Sequence, residues 1–244
     1  MYRILNPDKT IETIEKLHSR IEERFPLSGL ANVCKELCIA ATNSKERAEW
    51  IAKPNYALRA FAGLIVIFII LGLIYSISMM DITIKSIDGG EFVQVTDAAL
   101  NDLVLIGAAI FFLISVEIRV KRSRVLEALH ELRTIAHIID MHQLTKDPGR
   151  LRKNVILTHS SPKADMSAYE LMRYLDYCSE MLSLTGKVAA IYAQNFRDSV
   201  VLSAVNEIES LTTGLSRKIW QKIIILHKLD ENISSSNTFV QQDG

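Results

Sequence analysis

Residues 60–80 read AFAGLIVIFIILGLIYSISMM, 21 positions without one charged side chain. As an α-helix this stretch is about 32 Å long, which matches a hydrocarbon core of roughly 30 Å. A second apolar run, Leu103–Val116, follows after the polar stretch 81–102. Two such runs so close together predict an all-α integral membrane protein built on a two-span transmembrane helical hairpin with a cytoplasmic helical bundle. The spans fall at about 60–80 and about 101–119.

Charge gives the orientation. Arg59 abuts the first run with Lys53 and Arg47 upstream, and Arg119, Lys121, Arg122 and Arg124 follow the second. Between the runs lie five acids, Asp81, Asp88, Glu91, Asp97 and Asp102, against one base, Lys85. The positive-inside bias therefore predicts a plasma or inner membrane protein with both termini cytoplasmic and the connection 81–100 outside. The first 59 residues alternate charged and apolar positions and hold no signal-peptide core, so the first span is expected to act as its own insertion signal.

Lys+Arg and Asp+Glu balance at 28 each, so no nucleic-acid partner is indicated. The expected partners are the lipid bilayer, further copies of the chain and a cytoplasmic protein; no cofactor is specified. Cys34, Cys38 and Cys178 all fall in segments assigned to the reducing side, which argues against a disulfide framework. Cys34 and Cys38 share one helical face and can hold a metal, but a pair lacking a second ligand pair reads first as two small core residues.

The remaining segments follow from periodicity. Residues 1–58 form an N-terminal helical hairpin: Asn6-Pro7-Asp8 opens a helix with Ile11, Ile14, Leu17, Ile21 and Phe25 on one stripe, Pro26 ends it, and Ser28 caps a second helix. Residues 59–120 hold the membrane hairpin. Its outer loop carries ITIKSI and EFVQV around Asp88-Gly89-Gly90, the pattern of a small extracytoplasmic β-hairpin. No Pro or Gly interrupts Ala108–Thr145, so one helix is predicted from about Asp97 to Leu144, the second span continuing through 121–145 as a cytoplasmic extension. A linker at 146–166 leads to a C-terminal bundle at 167–231, opened by the capping box Ser167-Ala-Tyr-Glu170. Asp198 caps its last helix, on which Val201, Val205, Ile208, Thr212, Leu215, Ile219, Lys222, Leu226 and Leu229 alternate steps of four and three, a bundle or coiled-coil seam offered for assembly. The tail 232–244 has no periodicity and reads as disordered.

Chemistry-bearing residues are few. His130, Arg133, His137 and Asp140 fall within about 80° on one helix, next to its apolar stripe. A metal or proton-sensing site at His130, His137 and Asp140 is one reading, and a polar border of a bundle with Asp140 paired to a base is the other. Asn101, Ala108 and Ser115 recur every seven residues, a stripe that can line a pore with Glu117, Arg119 and Arg122 at its inner mouth or let two helices pack closely. Glu117 can alternatively reach interfacial water or a neighbouring base. A phosphate-cradling loop, HExxH, GxSxG and paired CxxC are all missing, which lowers the case for an enzyme.

This layout resembles the two-span effector domains of bacterial defence and nucleotide-signalling systems, the SLATT-type proteins among them, with a helical hairpin in the membrane and helices beneath it. The resemblance lies in arrangement and carries over no residue. It implies an oligomeric membrane effector or ion channel whose cytoplasmic helices sense a signal or drive assembly. A non-catalytic anchor or scaffold that recruits a partner explains the same periodicities, and a membrane metal protein or enzyme using the histidine cluster is the third reading.

Overall fold

The computed structural model describes residues 4–79, 89–151, 159 and 166–240. All secondary structure among them is helical: α1 (Pro7–Arg24), α2 (Gly29–Ala52), α3 (Tyr56–Met79), α4 (Gly89–Leu144), a 3-10 turn (Pro148–Leu151), α5 (Ala168–Asn195) and α6 (Ser199–Val240).

The helix starts obey local chemistry. Asn6 accepts from the main-chain N–H groups of Asp8 (2.9 Å) and Lys9 (3.3 Å), with Pro7 in the first turn. Ser28 accepts from Ala31 N–H at 3.2 Å. Ser167 and Glu170 form a full capping box, and Asp198 accepts from Val200 and Val201 N–H. Between α1 and α2 the chain turns through Leu27 at φ 56°, a left-handed conformation that costs a side chain with a Cβ about 1–2 kcal/mol.

One expectation fails. Glu91–Val95, read as a strand, lies in the opening turns of α4, which begins at Gly89 and not near Asp97. A five-residue strand in a lone hairpin is marginal in water, whereas the helical ladder satisfies each backbone group within the segment. The partner strand, 82–87, lies outside the described residues. The end of α4 at Leu144 agrees with the sequence reading. α6 runs on to Val240, through the segment from Asn232 that has no periodicity.

The chain divides into two compact units, Met1–Ala52 with Arg124–Gly244, and Lys53–Ser123. The first is a helical bundle. Its core joins Ile14, Leu17 and Ile21 of α1, Leu30, Cys34 and Leu37 of α2, Val125, Leu129, Leu132 and Ile139 of α4, and the inner faces of α5 and α6. Each fully buried Leu or Ile contributes roughly 1.5–3 kcal/mol. Phe25, closing α1, sets its ring edge-on to Tyr174 (5.4 Å) and Tyr177 (6.3 Å) of α5. Cys34 and Cys178 are buried in this core, and burial pushes both thiols up to about 12, so they pack as small apolar groups.

The second unit holds α3 and the first part of α4. Among the described residues α4 is the one helix long and apolar enough to cross a membrane, and none of its most apolar window is buried. A shorter apolar run spans Arg59–Gly72 of α3.

Candidate functional site

Within the second unit, Glu117 of α4 is the centre of a polar cluster. Its carboxylate accepts from the main-chain N–H of Asn55 (3.1 Å), from Arg59 Nε (3.3 Å) and from Lys121 Nζ (2.9 Å). Lys121 also donates to the carbonyl of Lys53 at 2.8 Å. Asn55 accepts from Arg59 N–H and so opens α3, which places a carboxylate at the positive end of that helix. The pairing with neighbouring bases that the sequence allowed at this position is present in the geometry. Glu117 and Lys121 side chains are only 12% and 11% exposed, so the pair is shielded.

Asn101 and Ala108 are exposed, and Ser115 is half-buried with its hydroxyl donated to Phe111 O (2.8 Å) in its own helix. Arg119 is exposed and Arg122 half-buried.

The histidine cluster does not converge. His130 and His137 are exposed, Arg133 bonds Glu207 of α6, and Asp140 accepts from Gln143 Nε2 at 2.6 Å. Among the described residues no three His, Cys, Asp or Glu side chains are grouped to hold a metal. The engaged histidine is His142, which the helical wheel puts on another face. Its Nδ1 lies 3.3 Å from the Tyr174 hydroxyl, and its ring fills the space over Gly29, where a Cβ would come within 2.5 Å of it. Burial first, then the nearby Lys146 charge, pushes the His142 imidazole below its ordinary value.

The four-three ladder of α6 is satisfied inside the chain. Val201, Val205, Ile208, Thr212, Leu215, Ile219 and Leu226 are buried in the bundle, and Leu229 is half-buried. Its two polar positions have separate tasks. Thr212 Oγ1 lies 3.2 Å from where a Cβ on Gly186 would stand, marking a close approach of α5 and α6. Lys222 donates to carbonyls at the end of α4. Ile223 is buried too, a residue the ladder skips although it lies four after Ile219 and three before Leu226.

Among the clefts on the bundle, two are lined by charged and aromatic side chains. The larger, about 730 Å³, lies between the start of α1 and α5 and includes Leu5, Lys9, Asp176, Glu180, Lys187 and Trp220. Its charges are engaged: Glu180 binds Arg20, Asp176 binds Arg173, and Lys187 donates to Ser183. The other, about 520 Å³, is walled by Glu46, Arg47, Trp50, Ile51, Arg124 and Glu127. There the Arg124 guanidinium stacks over the Trp50 ring, 4.3 Å from its centre. Sequence reading missed this pair because α2 and α4 meet only in the fold; an indole just before a membrane-type helix, on the basic side, is the signal that marks it. Comparison with protein-family models, with curated proteins and with solved structures gives no match.

Proposed function

We propose that the chain crosses a bilayer twice, through α3 and the apolar part of α4, with both termini cytoplasmic, and works as an oligomeric membrane effector or channel governed by its helical bundle. The observation that carries this reading is α4. It leaves its most apolar stretch uncovered and continues without a break into the bundle core, where Val125, Leu129 and Leu132 are buried. Phe61, Phe68, Phe111 and Phe112 are each more than half exposed. Water tolerates no such continuous apolar surface, and lipid is the solvent that does. The acids of 81–102 and the bases flanking both runs support the orientation.

Two helices enclose no aqueous path, so a channel requires several copies. In such a ring Asn101, Ala108 and Ser115 are the candidate lining, with Arg119 and Arg122 near the inner mouth. The test is the mass of the full chain in native lipid particles, followed by ion flux in liposomes. Four or more copies with flux support the proposal; a monomer or dimer with silent bilayers overturns it.

A membrane anchor or scaffold is the second reading. It draws support from the α6 ladder, whose apolar positions are buried within one chain and so ask for no second copy. A stable hetero-complex together with silent bilayers would favour it.

A further inference from the structure

The cleft between α2 and α4 has an unusual charge inventory. Arg47 is engaged, its terminal nitrogens 3.1 and 3.4 Å from the two oxygens of Glu131. Arg124 touches only the Trp50 face, and among the described residues Arg124, Glu46 and Glu127 make no ion pair and no side-chain hydrogen bond. One guanidinium and two carboxylates, all exposed to solvent, thus flank an exposed aromatic wall without a partner among the described residues. A simple anion is disfavoured here, because it meets two carboxylates for one guanidinium, and a simple cation meets Arg124. A molecule carrying both charges satisfies all three groups.

Position narrows the class further. Trp50 precedes the start of α3 by a few residues, and Arg124 follows Val116, the last residue of the apolar run, by eight. Eight helical residues are about 12 Å, within reach of the headgroup layer for a side chain as long as arginine. Tryptophan is enriched at that depth, and guanidinium binds phosphate through paired N–H groups.

We propose that this cleft binds a phosphoethanolamine-type zwitterion, its phosphate held by Arg124 above Trp50 and its primary ammonium by Glu46 and Glu127. A quaternary ammonium fits poorly: it has no N–H to donate to the carboxylates, and the indole face it would use is covered by Arg124. The group has two sources, a lipid headgroup or the free phosphomonoester; the lipid source rests on the membrane reading above.

The chain has two tryptophans, so Trp220→Phe leaves Trp50 as the sole tryptophan, excited selectively over the tyrosines at the red edge of indole absorption. The full-length variant in detergent is titrated with O-phosphoethanolamine, phosphocholine, inorganic phosphate and ethanolamine. The expected result is a saturable change in Trp50 emission with phosphoethanolamine at a concentration at least tenfold below that for the other three. Arg124→Gln, Glu127→Gln and, on the other helix, Glu46→Gln each weaken it severalfold with far-UV helicity intact. No saturable response, or equal responses to phosphate or phosphocholine, overturns the proposal. Discs of phosphatidylcholine with and without phosphatidylethanolamine then separate the sources. Emission already saturated in the ethanolamine discs, with the soluble ligand no longer acting, assigns the lipid. An undiminished response in both discs assigns the soluble ester and overturns the lipid source. Failure of the chain to enter discs refutes the membrane reading alone and leaves the detergent titration standing.

Discussion

The ammonium of Lys222 in α6 donates to the main-chain carbonyl of Gln143 at 2.6 Å, and to that of Lys146 at 3.0 Å. The Gln143 carbonyl lies in the last turn of α4, where intrahelical donors run out and the helix dipole favours a cation, and the Lys146 carbonyl lies two residues past the helix end at Leu144. The polar break in the α6 ladder is therefore the pin that holds the end of α4. Lys222→Met keeps the aliphatic stem and removes the cap. Thermal or chemical unfolding should report a loss of about 1–3 kcal/mol, since charge-assisted hydrogen bonds are removed and two carbonyls are left without this donor. Unchanged stability would show that the cap is not needed.

Glu117 is the corresponding joint in the second unit. Glu117→Ala removes the acceptor of Asn55 N–H, Arg59 and Lys121 and leaves the shielded Lys121 with only the Lys53 carbonyl. Breaking a shielded pair from one side costs about 2–4 kcal/mol. Cysteines placed on α3 and α4 near this end should cross-link less efficiently in the variant than in the parent; equal efficiency would mean the cluster does not hold the two helices together.

His142 makes the bundle acid-sensitive. Its folded value lies below the ordinary one near 6.5, so the folded state binds fewer protons than the unfolded state. Stability is then full above the unfolded value and falls as pH drops through it toward the lower folded value. His142→Gln should flatten the fall of the unfolding free energy as pH drops below about 6.5 relative to the parent. A parental profile already flat over that window would contradict this. Gly29→Ala, which drives a methyl into the imidazole, should lower stability at every pH.

The α6 ladder separates folding from assembly. Ile219 is 0% exposed in the bundle, and Ile219→Ala should cost about 2–5 kcal/mol. Because the burial is supplied by the same chain, the mass of the folded variant in lipid particles should equal that of the parent. A drop in subunit number at unchanged stability would instead place the seam between copies.

Local signals carried the sequence reading far. Asn6, Ser28, Ser167 with Glu170, and Asp198 mark helix starts through hydrogen bonds to residues two or three positions on, and such short-range chemistry is readable in one dimension. The apolar ladders of α1, α2, α4 and α6 likewise announce which faces are buried. Phe92, Val93 and Val95 misled because β-branched and aromatic residues beside Gly89-Gly90 imitate a hairpin, while the decision belongs to the long helix they join. Tertiary meetings were not legible. His142 on Tyr174, Arg124 on Trp50 and Lys222 on the end of α4 each join residues more than 30 positions apart, and periodicity holds no information on which faces meet. The pair His130 and His137 shares a helix face, but among the described residues no third ligand joins it.

The division of the chain also sets a timetable. The bundle is left at Ala52 and resumed at Arg124, and its core closes only with α6, whose Leu226 belongs to the same cluster as Ile14 and Leu37. On a ribosome adding ~5–20 residues per second, the finished α1–α2 pair waits roughly 7–29 s for α5, the later helix that packs on both, and longer for α6. Until α5 arrives the stripe of Ile14, Leu17, Ile21 and Leu37 lacks that cover, while 53–123 is already made. A product truncated before α5 is therefore expected to expose this stripe and to be cleaved faster by added protease than the full chain.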